Sequence, residues 1–306
     1  MLIVSNKERI SFSHLIKAYF ELTKPGITRM IVLTAATGYY LAIPVHFEEY
    51  CSSMGNILLF LFTMVGTALT SAGSCVLNNY YEREHDQQMK RTVSRALPSG
   101  IISAQSALIF GILISIVGLS ILYAYVNAIT ALLSFITILS YVYLYTPLKR
   151  KTKMSLYAGT LPGALPALGG WTAYTGEIGL SGILLFLIVL FWQIPHFLAL
   201  AWIYRLDYKH AGFKMHTYEG DSSGKRISIL SIVYTICAIT SALLLWQYSK
   251  LGFVYLLGVF LLSLFLLYAC IQFMLHKDNK SAKLQLYASY AYLSGIFLLV
   301  FVNKQL

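Results

Sequence analysis

The chain has 306 residues, of which 58% are hydrophobic and 11% charged, and its mean hydropathy is +0.67. These values exclude an ordinary soluble domain, and apolar runs of about twenty residues are too long for the strands of a membrane β-barrel. The net charge of +11 does not predict a nucleic-acid partner, because the basic residues follow a membrane topology. The four cysteines are widely spaced and predict neither a metal site nor a disulfide framework. The composition therefore predicts an all-α, polytopic membrane protein.

Residues 1–29 are predicted to form a cytoplasmic, interfacial segment before the first span. Charged residues interrupt its first apolar positions, so it does not have the long apolar region of a cleavable signal. Apolar residues recur at near-helical spacing from Phe12 to Leu22, which predicts an interfacial helix that ends before Lys24-Pro25-Gly26. We treat 1–306 as a single transmembrane domain.

Apolar runs predict about nine transmembrane helices. They lie at roughly 30–47, 57–79, 102–124, 127–147, 156–175, 180–204, 228–246, 252–274 and 284–302. The first and fifth are the weakest, since the first carries Gly-Tyr-Tyr in its middle and the fifth holds two prolines and four glycines. Such a fifth helix is predicted to be kinked, either lining a binding chamber or packing closely through its small residues.

The basic residues are distributed asymmetrically over the predicted loops. With nine spans and a cytoplasmic N-terminus, 21 of the 23 Lys and Arg residues lie on the cytoplasmic side, and only Lys250 and Lys304 lie outside. This asymmetry predicts that the N-terminus and the polar loops after the even-numbered spans face the cytoplasm.

Three oxygen-bearing side chains lie at the end of the second span. Asn78, Glu82 and Asp86 recur every four residues, which places them on one face of a helix. Ionised groups beside a membrane core are costly and tend to mark function. Oxygen ligands suit Mg²⁺, which usually binds through one or two carboxylates together with substrate phosphates. The spacing predicts a site for a metal-bound phosphorylated substrate.

Basic residues surround this acidic repeat. Arg83, Lys90, Arg91 and Arg95 suit an anion as large as a pyrophosphate. Lys149 and Arg150, which end the fourth span on the same side, could complete a phosphate clamp. The alternative is that these residues are only a charged loop and anchors of the membrane boundary.

A second polar set belongs to the sixth span. At about 100° per residue, Gln193, His196 and Asp207 fall within an arc of about 60°, forming one stripe from inside the bilayer to its cytoplasmic edge. Pro195 is predicted to bend the helix there. His196 either forms an interhelical hydrogen bond or orients a ligand. Asp207 either belongs to the polar site or pairs with a neighbouring base.

The residues together resemble a known family, the UbiA-type intramembrane prenyltransferases, and within it the branch of protoheme IX farnesyltransferases (haem O synthases). The resemblance covers nearly the whole chain. It is carried by the pattern from Asn78 to Arg95, including Met89-Lys90-Arg91-Thr92, and by Lys24-Pro25-Gly26, Tyr145-Thr146-Pro147-Leu148-Lys149-Arg150, Gly169-Gly170, Trp192-Gln193-Ile194-Pro195-His196-Phe197 and Asp207-Tyr208-x-x-Ala211-Gly212-Phe213.

The resemblance implies nine transmembrane helices around a central cavity, in the inner membrane of a bacterial cell. It implies transfer of farnesyl from farnesyl diphosphate to the 2-vinyl group of haem B, with Mg²⁺ as cofactor, giving haem O for terminal oxidases. Enzymes of haem A synthesis or oxidase assembly are the implied partners. When the family's roles are carried onto this chain, the resemblance implies that Asn78, Glu82 and Asp86 hold Mg²⁺–diphosphate. It implies that Asp207 belongs to a second metal-side cluster. The implied phosphate contacts are Arg91, Arg95, Lys149 and Arg150. The deeper Gln193 and His196 are predicted to contact the acceptor.

The sequence departs from the family pattern in three places. Glu82 and Glu84 stand where the family usually has aspartates, and the residues after Gly212 differ from the usual Pro-Met-Leu-Pro. The second motif also lacks a paired aspartate four residues after Asp207, where Ala211 stands. Two alternative functions remain: a prenyltransferase for an aromatic quinone precursor would keep the diphosphate site, whereas a transporter would leave the acidic repeat unexplained.

Overall fold

A computed structural model describes residues 11–88, 92–210 and 223–304, and within these ranges the protein is built of helices and turns with one isolated β-bridge. The helices are α1 (Phe12–Leu22), α2 (Pro25–Ala42), α3 (Phe47–Cys51), α4 (Met54–Asp86), α5 (Ala104–Tyr125), α6 (Ala128–Leu139), a π-helical segment (Ser140–Tyr145), α7 (Thr146–Lys151), α8 (Ser155–Thr175), α9 (Leu180–Ile203), α10 (Arg205–His210), α11 (Lys225–Tyr248), α12 (Phe253–His276) and α13 (Asn279–Asn303).

The described residues contain nine long helical segments, at the positions predicted from the apolar runs. The α6, π-helical and α7 segments follow one another without a break and form one of them, Ala128–Lys151. Seven of the nine are long and apolar enough to cross a membrane by length and composition alone. The other two are α2 and α8, which correspond to the first and fifth predicted spans. Both carry glycine and polar residues that lower their hydropathy.

Local sequence signals explain where several helices begin and end. The side chain of Asn127 accepts from the backbone N–H of Thr130 at the start of α6, and Asp278 forms a capping box with Ser281 at the start of α13. Gly176 ends α8 with φ of 74°, a left-handed conformation that a glycine adopts without a steric penalty. The amphipathic helix predicted before Lys24 is confirmed as α1. Its Ala18 and Leu22 are buried, whereas Phe12 and Phe20 are exposed.

The long helices form a closed ring. Each long helix packs against the next one in the order α2, α4, α5, α6, α8, α9, α11, α12 and α13. The α13 helix then packs against α2, which closes the ring. The α5, α11 and α12 helices contribute no lining residue to the central cavity, which is bordered by the remaining six segments. This arrangement agrees with the predicted fold of membrane helices around a central cavity.

Close backbone contact between α2 and α8 depends on two glycines. A Cβ atom on Gly38 would overlap the carbonyl oxygen of Ala167, and one on Gly170 would overlap the carbonyl oxygen of Ala35. Small residues allow helices to approach in this way. The α8 helix continues through Pro162 and Pro166, and it both packs closely on α2 and lines the cavity.

Polar contacts link helices at both ends of the ring. One end holds contacts among the start of α2, the end of α4 and α7. The opposite end holds the contacts of Asn127 with Thr172 O and of Lys304 with the carbonyl oxygens of Tyr40 and Ile43. Burial lowers the pKa of Lys304 to about 8. At this opposite end the contacts satisfy carbonyl groups at the C-terminal ends of α8 and α2.

Candidate active site

The last two turns of α4 bring three polar side chains to one buried face. Asn78, Glu82 and Asp86 are at most 7% exposed. Their spacing of four residues on a continuous helix makes them neighbours, as the sequence predicted. A buried amide and two buried carboxylates require partners, and each of the three has at least one basic or hydroxyl group beside it.

Asn78 is held by two other helices. Lys24 Nζ donates to Oδ1 of Asn78 over 2.6 Å, and Nδ2 of Asn78 donates to Oγ1 of Thr146 over 3.0 Å. Lys24 precedes α2 in a left-handed conformation, with φ of 48°, and Thr146 is the first residue of α7. The amide therefore ties α2, α4 and α7 together, and its orientation is fixed by a donor on one side and an acceptor on the other.

Each carboxylate pairs with one cation. Lys149 Nζ lies 3.0 Å from Oε1 of Glu82, and Arg95 Nη1 lies 2.8 Å from Oδ2 of Asp86. Lys149 also lies 4.6 Å from the ring centre of Tyr145, a cation–π contact. The predicted association of Arg95 and Lys149 with the acidic repeat is thus present in the structure.

The cluster formed by Lys24, Glu82, Asp86, Arg95 and Lys149 holds more positive than negative charge. It has three cationic side chains and two carboxylates. Among the described residues, the hydrogen bond of Lys24 goes to a neutral amide. Desolvation by burial lowers the pKa of Lys24. An incompletely compensated cation at a buried site is costly, and an anionic ligand would offset that cost. We call these five residues the charged cluster.

Among the described residues, Arg150 and Asp207 do not join the charged cluster. Arg91 lies outside the described residues. Arg150 is half-buried, and the structure shows no ion pair between it and the α4 carboxylates. Asp207 is exposed on α10. The predicted continuous stripe from Gln193 to Asp207 is wrong, because α9 ends at Ile203 and the chain leaves the helical path at Tyr204, with φ of −100° and ψ of 19°.

The described residues contain no group of three or more His, Cys, Asp or Glu side chains that could hold a metal by themselves. Glu82 and Asp86 nevertheless fit Mg²⁺, which takes one or two carboxylates and completes its shell with water and substrate phosphates. The carboxylate pair is thus suited to a metal that arrives with a phosphorylated substrate. The addition of Asp207 as a third ligand stays a prediction.

A cavity of about 500 Å³ begins beneath the charged cluster. Gly26, Cys75 and Tyr145 line it, and they lie two, three and four residues along the chain from Lys24, Asn78 and Lys149. Most of its lining is apolar, contributed by α2, α4, α6, α8, α9 and α13. The charged cluster therefore lies at one end of an apolar chamber.

Part of the cavity wall consists of exposed residues on two neighbouring helices. The lining residues Ile27 and Met30 on α2, and Tyr290 and Ser294 on α13, are also exposed. The α2 and α13 helices are neighbours. An apolar molecule in the bilayer could therefore reach the cavity between these two helices.

The π-helical segment connects the cavity to the charged cluster. It places Tyr141 and Tyr145 on the cavity lining, with their rings stacked 5.5 Å apart. The hydroxyl of Thr146 donates to the carbonyl oxygen of Tyr141 while accepting from Asn78. Wide π turns are frequent at functional sites, and this one aims two aromatic rings at the chamber.

The predicted pair Gln193 and His196 lines the same cavity at greater depth. Nε2 of Gln193 donates to the carbonyl oxygens of Thr160 and Val189, over 3.0 and 3.1 Å. Nδ1 of His196 lies 2.9 Å from Oγ of Ser289 on α13. His196 thus has the predicted interhelical hydrogen bond and also borders the chamber.

Two residues of the site were not among those predicted. Lys24 and Thr146 hold Asn78, yet the sequence assigned neither of them a role in the site. The available signal was their position, because both lie at ends of spans on the same side as the acidic repeat. Sequence spacing alone gives no sign that Lys24 reaches across to Asn78.

The fold and the site define a class: a polytopic helical membrane protein with an anion-suited charged cluster at one end of an apolar chamber. The UbiA prenyltransferase family matches residues 31–296. The chain is 37% identical over 291 residues to a protoheme IX farnesyltransferase of Solibacter usitatus (strain Ellin6076), covering 94% of this chain and 98% of that one. The chain belongs to the UbiA prenyltransferase family.

Solved structures show the same fold at low sequence identity. A digeranylgeranylglyceryl phosphate synthase matches with a TM-score of 0.75 and 20% identity, over 94% of this chain and 98% of that one. A UbiA homologue from Archaeoglobus fulgidus bound to GPP and Mg²⁺ matches with a TM-score of 0.62 and 15% identity, over 93% and 100%. These similarities confirm the predicted membrane prenyltransferase fold.

Proposed function

We propose that the protein transfers the farnesyl group of farnesyl diphosphate to the 2-vinyl group of haem B, forming haem O and diphosphate. The name of the Solibacter usitatus relative, which matches over nearly the full length of both chains, supports this choice of donor and acceptor. The observation that carries the proposal is the placement of the charged cluster at one end of an apolar cavity of about 500 Å³. That arrangement suits a donor with an anionic head and an apolar tail.

The donor head would bind at the charged cluster. Lys24, Arg95 and Lys149 would contact the diphosphate oxygens, and Glu82 and Asp86 would hold Mg²⁺, which supplies Lewis-acid neutralisation of the leaving group when bound. Arg91 and Arg150 remain proposed additional phosphate contacts, and Asp207 a proposed ligand from the α10 side.

The cationic side chains of the charged cluster promote departure of the diphosphate. The bond between C1 of the farnesyl group and oxygen breaks with its electron pair on oxygen, so negative charge grows where Lys24, Arg95 and Lys149 are already fixed. Groups fixed before the reaction stabilise such charge without reorganising. Asn78 contributes by holding Lys24 in place over 2.6 Å.

The apolar cavity protects the reacting carbon. An allylic cation is hydrolysed readily, and a chamber poor in water slows that side reaction. The rings of Tyr141, Tyr145 and Trp192 line the chamber and can stabilise positive charge through their π faces. The vinyl π electrons form the new bond to C1, and the cation left beside the porphyrin takes hydroxide from water, which releases one proton.

The acceptor would lie within the cavity, beside Gln193 and His196. Haem B is flat and largely apolar, and the side of the cavity between α2 and α13 gives it a route from the bilayer. We also propose that the protein lies in the bacterial inner membrane with the charged cluster at the cytoplasmic face, and that haem O passes to haem A synthesis or terminal-oxidase assembly. The orientation is supported by the nine-span topology, in which 21 of the 23 Lys and Arg residues lie on the side of the charged cluster.

The test is reconstitution in lipid nanodiscs with Mg²⁺ and labelled farnesyl diphosphate. Haem B and an aromatic quinone precursor are offered as competing acceptors. The proposal expects label in a haem product and none in the aromatic compound. Label in the aromatic compound alone would assign another prenyl transfer. Mg²⁺-independent uptake of the donor into sealed proteoliposomes, without product, would favour a transporter.

A further inference from the structure

The hydrogen bonds around Ser289 define the proton position on His196. Oγ of Ser289 lies 2.6 Å from the carbonyl oxygen of Leu286 and 2.9 Å from Nδ1 of His196. A carbonyl oxygen can only accept, so the single hydroxyl proton of Ser289 points to Leu286. Ser289 therefore accepts from His196, and Nδ1 carries the ring proton. In the neutral ring the lone pair then lies on Nε2.

The imidazole ring is also held by three aromatic neighbours. Trp192 stacks on it with centroids 4.9 Å apart, and Phe197 and Tyr290 meet it edge to face at 5.4 and 4.9 Å. Nε1 of Trp192 donates to the backbone oxygen of Ser289 over 2.6 Å, which joins this stack to the same residue of α13. The ring direction is thus fixed from several sides.

Nε2 of His196 is left for a ligand. His196 lines the cavity, and among the described residues no hydrogen bond to its Nε2 is present. Gln193, the polar neighbour one turn earlier, already donates to two carbonyl oxygens. The structure consequently presents an oriented nitrogen lone pair to an apolar chamber at this depth.

We propose that Nε2 of His196 is an axial ligand of the iron of the haem acceptor, and that Ser289 is the positioning residue that keeps this nitrogen unprotonated and correctly aimed. The inference rests on the proposed function, since it takes haem B as the acceptor. Histidines that bind metals commonly donate their second ring N–H to a fixed acceptor, which is the arrangement of His196 and Ser289. Imidazole is a common axial ligand of haem iron.

The other ligand types on the cavity wall are less suited. Cys75 is three residues before Asn78, near the charged cluster where the diphosphate is proposed to bind. Met30 is on the exposed side between α2 and α13, and the ring of Tyr290 already packs edge to face against His196. Ligation by His196 would hold the porphyrin inside the chamber, against the wall formed by α9 and α13. The donor carbon would then lie between the iron ligand and the charged cluster.

The experiment is an absorption and electron paramagnetic resonance titration of the full-length protein in nanodiscs with haem B. Mg²⁺ and farnesyl diphosphate are omitted, so no turnover occurs. The wild type should show a histidine-ligated haem spectrum. His196→Gly should lose it, and added imidazole should restore it by occupying the vacated space. Farnesyl diphosphate binding, measured separately, confirms that the variant is folded.

Ser289→Ala tests the positioning role. It should weaken haem B binding by about 10- to 100-fold, the loss typical for a partner of a metal-bound histidine, and alter the spectrum. The matched control is Ser263→Ala, which removes another buried serine hydroxyl on α12, away from the cavity lining. It should leave both the haem affinity and the spectrum unchanged. Equal effects of the two variants would overturn the role of Ser289.

The outcomes separate this inference from the proposed function. If His196→Gly keeps the wild-type haem spectrum, or if Cys75→Ser loses it instead, the ligand assignment is overturned even when the wild type farnesylates haem B. If the spectrum depends on His196 but the wild type never farnesylates haem B with Mg²⁺ and donor present, the ligand assignment is supported and the proposed reaction fails.

Discussion

The pair of Glu82 and Lys149 allows the metal role of Glu82 to be separated from simple charge pairing. Their side chains are 10% and 19% exposed, and the atoms Oε1 and Nζ lie 3.0 Å apart. Removing one partner of a buried pair leaves an uncompensated charge and typically costs about 3 kcal/mol or more. Glu82→Gln should therefore lower the Tm by several degrees and lower turnover at least about tenfold. Glu82→Asp keeps the charge and should be tolerated better.

The double variant distinguishes the two roles. Glu82→Gln combined with Lys149→Met removes both buried charges, so its Tm should return towards that of the wild type. Its Mg²⁺ requirement should remain as high as in Glu82→Gln alone, because the metal ligand is still missing. Lys149→Met alone should weaken donor binding without raising the Mg²⁺ requirement.

The assays are thermal unfolding in nanodiscs and Mg²⁺ titration of the farnesyl transfer rate for all four forms of the pair. The matched control is Glu84→Gln, which breaks the exposed ion pair of Arg83 and Glu84 two residues further along α4. That change should cost less than about 1 kcal/mol. The reasoning is refuted if the double variant has the same rate and Mg²⁺ requirement as Lys149→Met, because Glu82 would then only neutralise Lys149.

Three further predictions address other parts of the account. Asp86→Asn removes the carboxylate paired with Arg95 and should lower turnover at least about tenfold, measured with Mg²⁺ titration; an unchanged rate and Mg²⁺ dependence would remove Asp86 from the site. Gly163→Ala places a Cβ atom where Oε1 of Gln193 lies. Because this end of the Gln193 side chain is flexible and can move, the protein should still fold but show a raised KM for the acceptor. A raised KM for the donor alone would contradict this expectation. A reporter fused after Lys153 should read as cytoplasmic, and a periplasmic signal would break the nine-span topology.

The helices could be predicted from sequence because apolar runs and caps are local features. The two runs with the weakest hydropathy form helices, α2 and α8, as predicted, whereas their crossing of the membrane stays a prediction based on the alternation of basic loops. The face shared by Asn78, Glu82 and Asp86 was predictable for the same reason: a spacing of four residues on one helix fixes it.

The remaining site depends on contacts between segments far apart in the chain. Lys24 reaches Asn78 across 54 residues, and Ser289 reaches His196 across 93. No periodicity within one helix encodes such pairs. The stripe expected from Gln193 to Asp207 is absent because it requires one continuous helix, whereas the helical path is interrupted at Tyr204 between α9 and α10. A helical angle holds only while the helix continues.

The central claim, farnesyl transfer to haem B, is tested most directly by mass spectrometry of extracted haems. The gene is expressed in a bacterial host that makes haem B but no haem O, and the Asp86→Asn variant serves as the matched control. The account predicts a haem whose mass exceeds that of haem B by one farnesyl and one hydroxyl group, abundant with the wild type and strongly reduced with the variant. Cells that contain the folded wild-type protein in their membrane, with ample haem B and farnesyl diphosphate, but only unmodified haem B would contradict it.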